Sequence, residues 1–440
     1  VLVGYNALTA EPAAARLSLH HRPVSAHRRI LALAWGAWTT GFFSLMVLSF
    51  VLQPLQDAFG FSEAGLARLT AVAVGTSGLG GLLFGWLSDR SGRRASLALA
   101  IGIFSLGNAL CALAGSAGWL LAGRALTGLG VGGTWGAGQA LMGETFPPAL
   151  RGRYGALAQT GAPAGLGLAA VAGSFLAPFW GWRAVFLLAA LPLLALPLLR
   201  WVPESDLWLE HRRRLVSGGA AQAAGTAVAA ASARRRPLPI LAQLVAGDLV
   251  GRFAGAFVLT ALNMSAYWFA IVWLPRYLQK ERGLSIFGSG WWTLTFVAGS
   301  LAGYLSFGWA SDVAGRRRAF ALYSAVTALG LAMVTLFWES LAGRPLAGLA
   351  CMAVAGFGTG TWSCYGPFFS ELFPTRVRGA AMSVIMNVTR SVQFAAPLAI
   401  TAVAGRWGLA GGVGLAAGFA LASGVWVWTL PETAGAALEA

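Results

Sequence analysis

Runs of about twenty apolar residues, separated by short arginine-rich interruptions, fill most of this chain, and that rhythm leaves few folds open to it. A helical run of that length crosses the roughly 30 Å hydrocarbon core of a bilayer. Windows of this size place spans near 30–52, 66–87, 95–115, 119–142, 155–178 and 184–201, then near 252–274, 289–310, 319–338, 345–369, 380–403 and 409–430. With 57% of 440 residues hydrophobic and only 10% charged, polar surface is too scarce to solvate a compact body in water. The fold class expected is an all-α membrane protein with twelve transmembrane helices.

The formal net charge of +16 would suggest nucleic acid in a soluble protein, so its placement matters. Most of the 31 cations fall in alternate loops, the set sharing a side with the N-terminus. The opposite set holds Arg68, Arg183, Arg276, Lys280, Arg282, Arg344 and Arg406; only Arg124 and Arg390 lie inside spans. By the positive-inside rule both termini are cytoplasmic, in a cytoplasmic membrane, and no nucleic-acid partner is implied. Residues 1–29 then form a cytoplasmic tail, with the first span as targeting signal, and 30–201 a six-helix bundle. Residues 202–251 form a cytoplasmic connector with a short amphipathic helix near 238–250, 252–430 a second bundle, and 431–440 a cytoplasmic tail. Cys111, Cys351 and Cys364 lie in apolar stretches without zinc or redox spacing and read as small apolar residues.

The two bundles repeat one another. Gly85-Trp86-Leu87-Ser88-Asp89 followed by Gly92-Arg93-Arg94 recurs 223 residues on as Gly308-Trp309-Ala310-Ser311-Asp312 followed by Gly315-Arg316-Arg317. Glu144-Thr145-Phe146-Pro147 recurs as Glu371-Leu372-Phe373-Pro374, and Pro203-Glu204-Ser205 as Pro431-Glu432-Thr433. Two six-span halves starting on the same side form a parallel repeat about the membrane normal, with a central cavity between them.

These motifs resemble the major facilitator superfamily over essentially the whole chain. The loop Gly85 to Arg94 is like its most diagnostic motif, and Arg124-Ala125-Leu126-Thr127-Gly128 with Gly130, Gly132 and Gly133 is like its helix 4 motif. Trp273-Leu274-Pro275-Arg276, Gly299-Ser300-Leu301-Ala302-Gly303-Tyr304 and Phe373-Pro374-Thr375-Arg376 look most like the sialate/lactate and aromatic-acid proton symporters. The Glu-x-Phe-Pro and Pro-Glu-Ser/Thr elements look like those shared with sugar porters. The resemblance implies alternating access; independently of it, Asp89 and Asp312 at cytoplasmic helix ends can pair with Arg93, Arg153, Arg316 or Arg378 as latches between bundles when the inner side is closed. The resemblance gives Glu144 and Glu371 a place among the gate acids and Arg124 a conformational or coupling role. Spans 1, 4, 7 and 10 line the cavity in this superfamily, which places Trp38, Thr39, Phe42, Asn263, Tyr267, Trp362 and Tyr365 near the cargo.

The acids and histidines narrow the chemistry. All fifteen acidic residues can be placed in loops or at span ends, and the four histidines in cytoplasmic segments. With no carboxylate or imidazole at mid-membrane, neither a metal site nor an enzyme centre is expected, and no cofactor is implied. Arg390, by contrast, sits some ten residues from either end of span 11, too deep to reach the interface. A lone guanidinium there costs a few kcal/mol and calls for a wet cavity and an anion. Asn387 lies one turn before it and Gln393 close after, so the three are candidate cargo contacts, Arg390 gripping a carboxylate bidentately.

One departure from the symporters bears on energetics. Trp38-Thr39-Thr40-Gly41-Phe42-Phe43-Ser44 holds no aspartate where helix 1 of that group usually carries one. The function expected is alternating-access transport of a small organic anion, a monocarboxylate, by proton-linked uptake, in a monomer. A neutral sugar or polyol porter, an organic-anion exporter or uniporter, and a non-transporting sensor remain open.

Overall fold

A computed structural model describes residues 24–146, 148–210, 212–213, 247, 249–341 and 343–434. Most of the expected connector helix near 238–250, and the tails at 1–23 and 435–440, lie outside the described residues. Among the described residues there is no strand.

The first half opens with α1 (Val24–Met46), which begins before the apolar run and ends in a 3₁₀ turn, Val47–Phe50. A short helix α2 (Leu52–Phe59) leads to α3 (Glu63–Ser91), α4 (Arg93–Ala112) and α5 (Ala117–Thr145). The fifth pass is α6 (Pro148–Gln159) and α7 (Gly161–Val171), continued by a π turn at Ala172–Leu176, and the sixth comprises most of α8 (Ala177–Ala190) and a 3₁₀ stretch to Trp201. The second half repeats the series with α9 (Leu249–Lys280), α10 (Ile286–Ala314) and α11 (Arg316–Thr335). A single turn, α12 (Trp338–Leu341), precedes α13 (Pro345–Gly358), the 3₁₀ turn Thr359–Ser363 and α14 (Tyr365–Leu372), which together form the tenth pass. The last two passes are α15 (Thr375–Val392) and α16 (Ala395–Trp426).

Two helices conceal a chain reversal. Gly181 has φ 77° inside α8, and Gly408 has φ 67° inside α16, a left-handed conformation that interrupts the helix and turns the chain. The positions are 227 residues apart, each preceded by tryptophan, so this reversal belongs to the same duplication. Counting both turns gives twelve passes, the major facilitator architecture. Seven described spans meet both length and mean hydropathy for crossing a bilayer alone. In α5 and α10, Gly, Ser and Trp lower the hydropathy, and the tenth pass is divided by its 3₁₀ turn.

Packing within each half is carried by glycines. A Cβ on Gly128 would strike the carbonyl of Ala73, and one on Gly132 that of Ser77, fixing α5 against α3 backbone to backbone. Gly299 and Gly303 meet Ala353 and Phe357 in the same way, fixing α10 against α13. Outward surfaces are apolar, with Leu79, Leu194, Leu305 and Trp309 all well exposed, as a lipid-facing body requires. Trp180, Trp291 and Trp407 are exposed near span ends, whereas Trp182 and Trp292 are buried, Trp182 against Phe59 and Phe186 and Trp292 against Trp338.

In each half the first and sixth passes end on one face, here the termini face. Arg29 donates to the Trp201 carbonyl at 3.3 Å, and Trp426 Nε1 to that of Gly255 at 3.0 Å. The halves meet along α3 with α15 and along α7 with α10. Gly75, Gly78 and Gly81 of α3 form notches filled by Phe394, Ser391 and Asn387, while Gly85, nearer the termini face, touches nothing. The molecule is therefore closed toward the opposite face.

Candidate functional site

Where the halves meet at mid-height, they enclose a narrow aromatic cage whose walls leave a free volume of only about 20 Å³. The first half supplies Trp38, Phe42 and Leu45 from α1, Trp135 from α5, Gln159 from α6 and Ala162 from α7. The second supplies Met264, Tyr267 and Trp268 from α9, Tyr304 from α10, Trp362, and Met386 and Arg390 from α15. The rings touch across the divide, with Phe42 centred 6.0 Å from Tyr267 and 6.4 Å from Trp268. Trp362 packs edge-on to Tyr267 at 5.2 Å.

Arg390 is the one cation on this wall. It is 5% exposed, and its Cζ lies 5.6 Å from the Trp38 ring centroid. A ring face attracts a guanidinium but leaves its N–H groups unused. Among the described residues no carboxylate or carbonyl accepts from Arg390. Other donors point the same way. Gln159 takes the Trp135 indole N–H on Oε1 at 2.9 Å, which leaves its amide nitrogen free. The hydroxyls of Tyr267 and Tyr304 have no protein hydrogen bond among the described residues. The cage is thus rich in donors and carries no acid.

Of the expected cargo contacts, Trp38, Phe42, Tyr267, Trp362 and Arg390 line the cage. Asn387, Gln393, Thr39 and Tyr365 do not, and Asn263 belongs to a neighbouring cleft. Asn387 fills the Gly81 notch between the halves, a side of α15 turned away from the cage. The helix ends at Gln393, whose side chain swings onto α9, accepting from Ser265 Oγ at 3.2 Å and donating to the Ala261 carbonyl. Thr39 is buried against Gly161. Tyr365 Oη donates to Asn263 Oδ1 at 2.9 Å, and Asn263 donates to Thr361 Oγ1 at 3.2 Å. Asn263 and Thr361 line a second, narrow cleft together with Tyr267 and Trp362, and Tyr365 is not among its lining residues. Sequence reading missed Trp135, Gln159, Met264, Trp268, Tyr304 and Met386; only Gln159, a lone amide in the fifth span, gave any signal.

The acids at the termini face also pair differently from expectation. Arg93 binds Asp89 at 3.1 Å and Glu144 at 2.8 Å, all within the first half. Arg316 binds Asp312 at 2.6 Å and Glu371 at 3.0 Å, all within the second. With the termini face open, these four pairs fasten neighbouring helices of one bundle. The side chains of Arg153 and Arg378 lie outside the described residues. Glu204 and Glu432 complete the duplicated pattern, each accepting the first two backbone N–H groups of α4 or α11. Burial would raise the Glu432 pKa, but the N–H groups of Ala434, Arg317, Arg316 and Thr433 outweigh it and lower the value. Arg124 is buried and donates to the carbonyls of Ser44 and Leu45 at 2.7 and 3.1 Å, where α1 gives way to its 3₁₀ turn.

The sequence matches the family model of the Major Facilitator Superfamily over residues 33–288 and 255–439. A probable 4-methylmuconolactone transporter of Cupriavidus pinatubonensis is 30% identical over 92% of this chain and 90% of its own. A niacin transporter of Acinetobacter baylyi is 25% identical over 85% of this chain and 87% of its own, and a sialic acid transporter of Escherichia coli 27% over 87% and 88%. The crystal structure of a D-xylose-proton symporter superposes with a TM-score of 0.72 at 20% identity, covering 93% of this chain and 99% of that one. With two matched six-helix halves around a central cage, the chain belongs to the major facilitator superfamily and is a multi-pass membrane transporter.

Proposed function

We propose that this transporter carries a small organic anion, a compact or aromatic monocarboxylate, with Arg390 as its carboxylate anchor. One observation carries the reading: a buried guanidinium faces an aromatic cage with no acid to neutralise it. A planar acid would stack among Trp38, Phe42, Tyr267 and Trp362 while its carboxylate met Arg390. Gln159 and the two tyrosine hydroxyls would serve a second polar group on the same molecule. Relatives named for methylmuconolactone, niacin, sialic acid and gallate support an acidic cargo.

Charge sets what uptake would require, and the preference for uptake comes from the resemblance to proton symporters. Placing the arginine-rich termini face in the cytoplasm of a bacterial inner membrane satisfies the positive-inside rule. Bringing one anion inward then costs about 2.3 kcal/mol per 100 mV. We take transport to be proton-linked uptake, the proton entering with the carboxylate, because the cage supplies no acid of its own. Counterflow with purified protein in vesicles tests the cargo class. Aromatic monocarboxylates should compete with one another while hexoses do not; competition by hexoses alone overturns the proposal in favour of a sugar porter.

A further inference from the structure

At the face opposite the termini, charge crosses between the halves. Glu63, the first residue of α3, accepts from Arg276 at 2.7 Å and from Lys280 at 2.6 Å, both on α9 of the other half. Gln56 Oε1 accepts from the same Arg276 nitrogen at 2.8 Å. Arg276 is only 4% exposed, and its Nε has no partner. Asp57, the nearest other acid in sequence, is engaged by Gln53, so the charges facing Glu63 are the two cations.

A guanidinium buried this far and only partly satisfied is costly unless a carboxylate stays with it. Its partner sits on the opposite half, so any motion that opens this face must separate them. Arg276 also lies on the helix that carries Tyr267 and Trp268, roughly 13 Å along the axis from the cage. We propose that Arg276 is the entry site for the cargo's carboxylate, and that Glu63 is a tethered carboxylate occupying it while this face is closed. On opening, Arg276 and Lys280 stand at the mouth as cations and draw an anion in. On closing, Glu63 reclaims Arg276 and releases the anion toward Arg390. The entry role rests on the organic-anion reading; the latch does not.

Spin labels at Ala58→Cys and Ser340→Cys, with Cys351 replaced by alanine, report separation of the halves at this face without cargo. Protein in lipid nanodiscs should show mainly the short distance, Glu63→Gln should move most of the population to a longer one, and Glu63→Asp should not. An unchanged distribution in Glu63→Gln overturns the latch. Should that variant not fold, Lys280→Gln weakens the same cluster and is read in the same way. Stopped-flow tryptophan fluorescence with benzoate then tests entry. Adding Arg276→Gln to Glu63→Gln should slow association about tenfold and leave dissociation unchanged; equal association rates overturn the entry role. No benzoate response in any variant overturns that role together with the organic-anion reading, whereas the spin-label distances still decide the latch.

Discussion

Arg390 is held by the face of Trp38 and by the shape of its cage, not by an acid, and that determines how its substitutions should behave. Truncating one partner of a buried charged pair costs about 2–5 kcal/mol in binding. Arg390→Gln should therefore weaken carboxylate binding by at least thirtyfold, as measured by tryptophan quenching. The empty protein should melt no lower, and a degree or more higher, because an uncompensated buried charge has been removed. A large fall in Tm would show that the arginine is a structural residue. The depth of Arg390 was legible from its place in an apolar run. Its neighbours were not, since helical spacing puts Asn387 near it in sequence while the Gly81 notch draws that side chain away.

At the level of elements, the glycines divide into two groups by what they touch. Gly128, Gly132, Gly299 and Gly303 abut backbone within one half, where nothing can yield. Alanine there should lower Tm or prevent folding, read by thermal unfolding in detergent. Gly81 abuts only the Asn387 side chain across the divide, so Gly81→Ala should fold normally and shift the spin-label distances toward the open form. Helical spacing by itself cannot tell these groups apart, because both consist of glycines about one turn apart in apolar spans.

The helix-capping glutamates act at the same scale. Four backbone N–H groups hold the Glu432 carboxylate charged and its pKa below the ordinary glutamate value of about 4.3. A depressed folded value means that the cap contributes stability above that pH and loses it as pH falls through the folded value. Glu432→Gln should thus cost about 1 kcal/mol near neutral pH, after allowance for solvent screening. The Tm difference from the parent should shrink on acidification below pH ~4.

For the whole molecule, closure is decided where the halves touch. The notches of α3 and the Glu63 cluster close one face, while the Asp89, Glu144, Asp312 and Glu371 pairs tie helices within each half and need not break when the halves rock. Charge balance makes a testable demand at this scale. If the carboxylate enters with a proton, uptake into vesicles should rise severalfold with an acid-outside gradient and depend little on membrane potential. Equal rates between about pH 5.5 and 8 would leave an electrogenic uniporter or exporter.

The class, the twelve passes and the duplication were legible in the sequence, because a bilayer demands apolar runs of one length and a repeat is visible as identity at a nearly constant offset. The sequence also singled out Arg390, since a cation in such a run is rare. Which aromatics form the cage, how the duplicated acid pairs are arranged within each half, and that Glu63 faces Arg276 came only from the packing of the helices. The contacts across the halves join residues some 200 positions apart, as with Glu63 and Arg276. They depend on how two bundles are placed against each other, which no local pattern of hydrophobicity or spacing records.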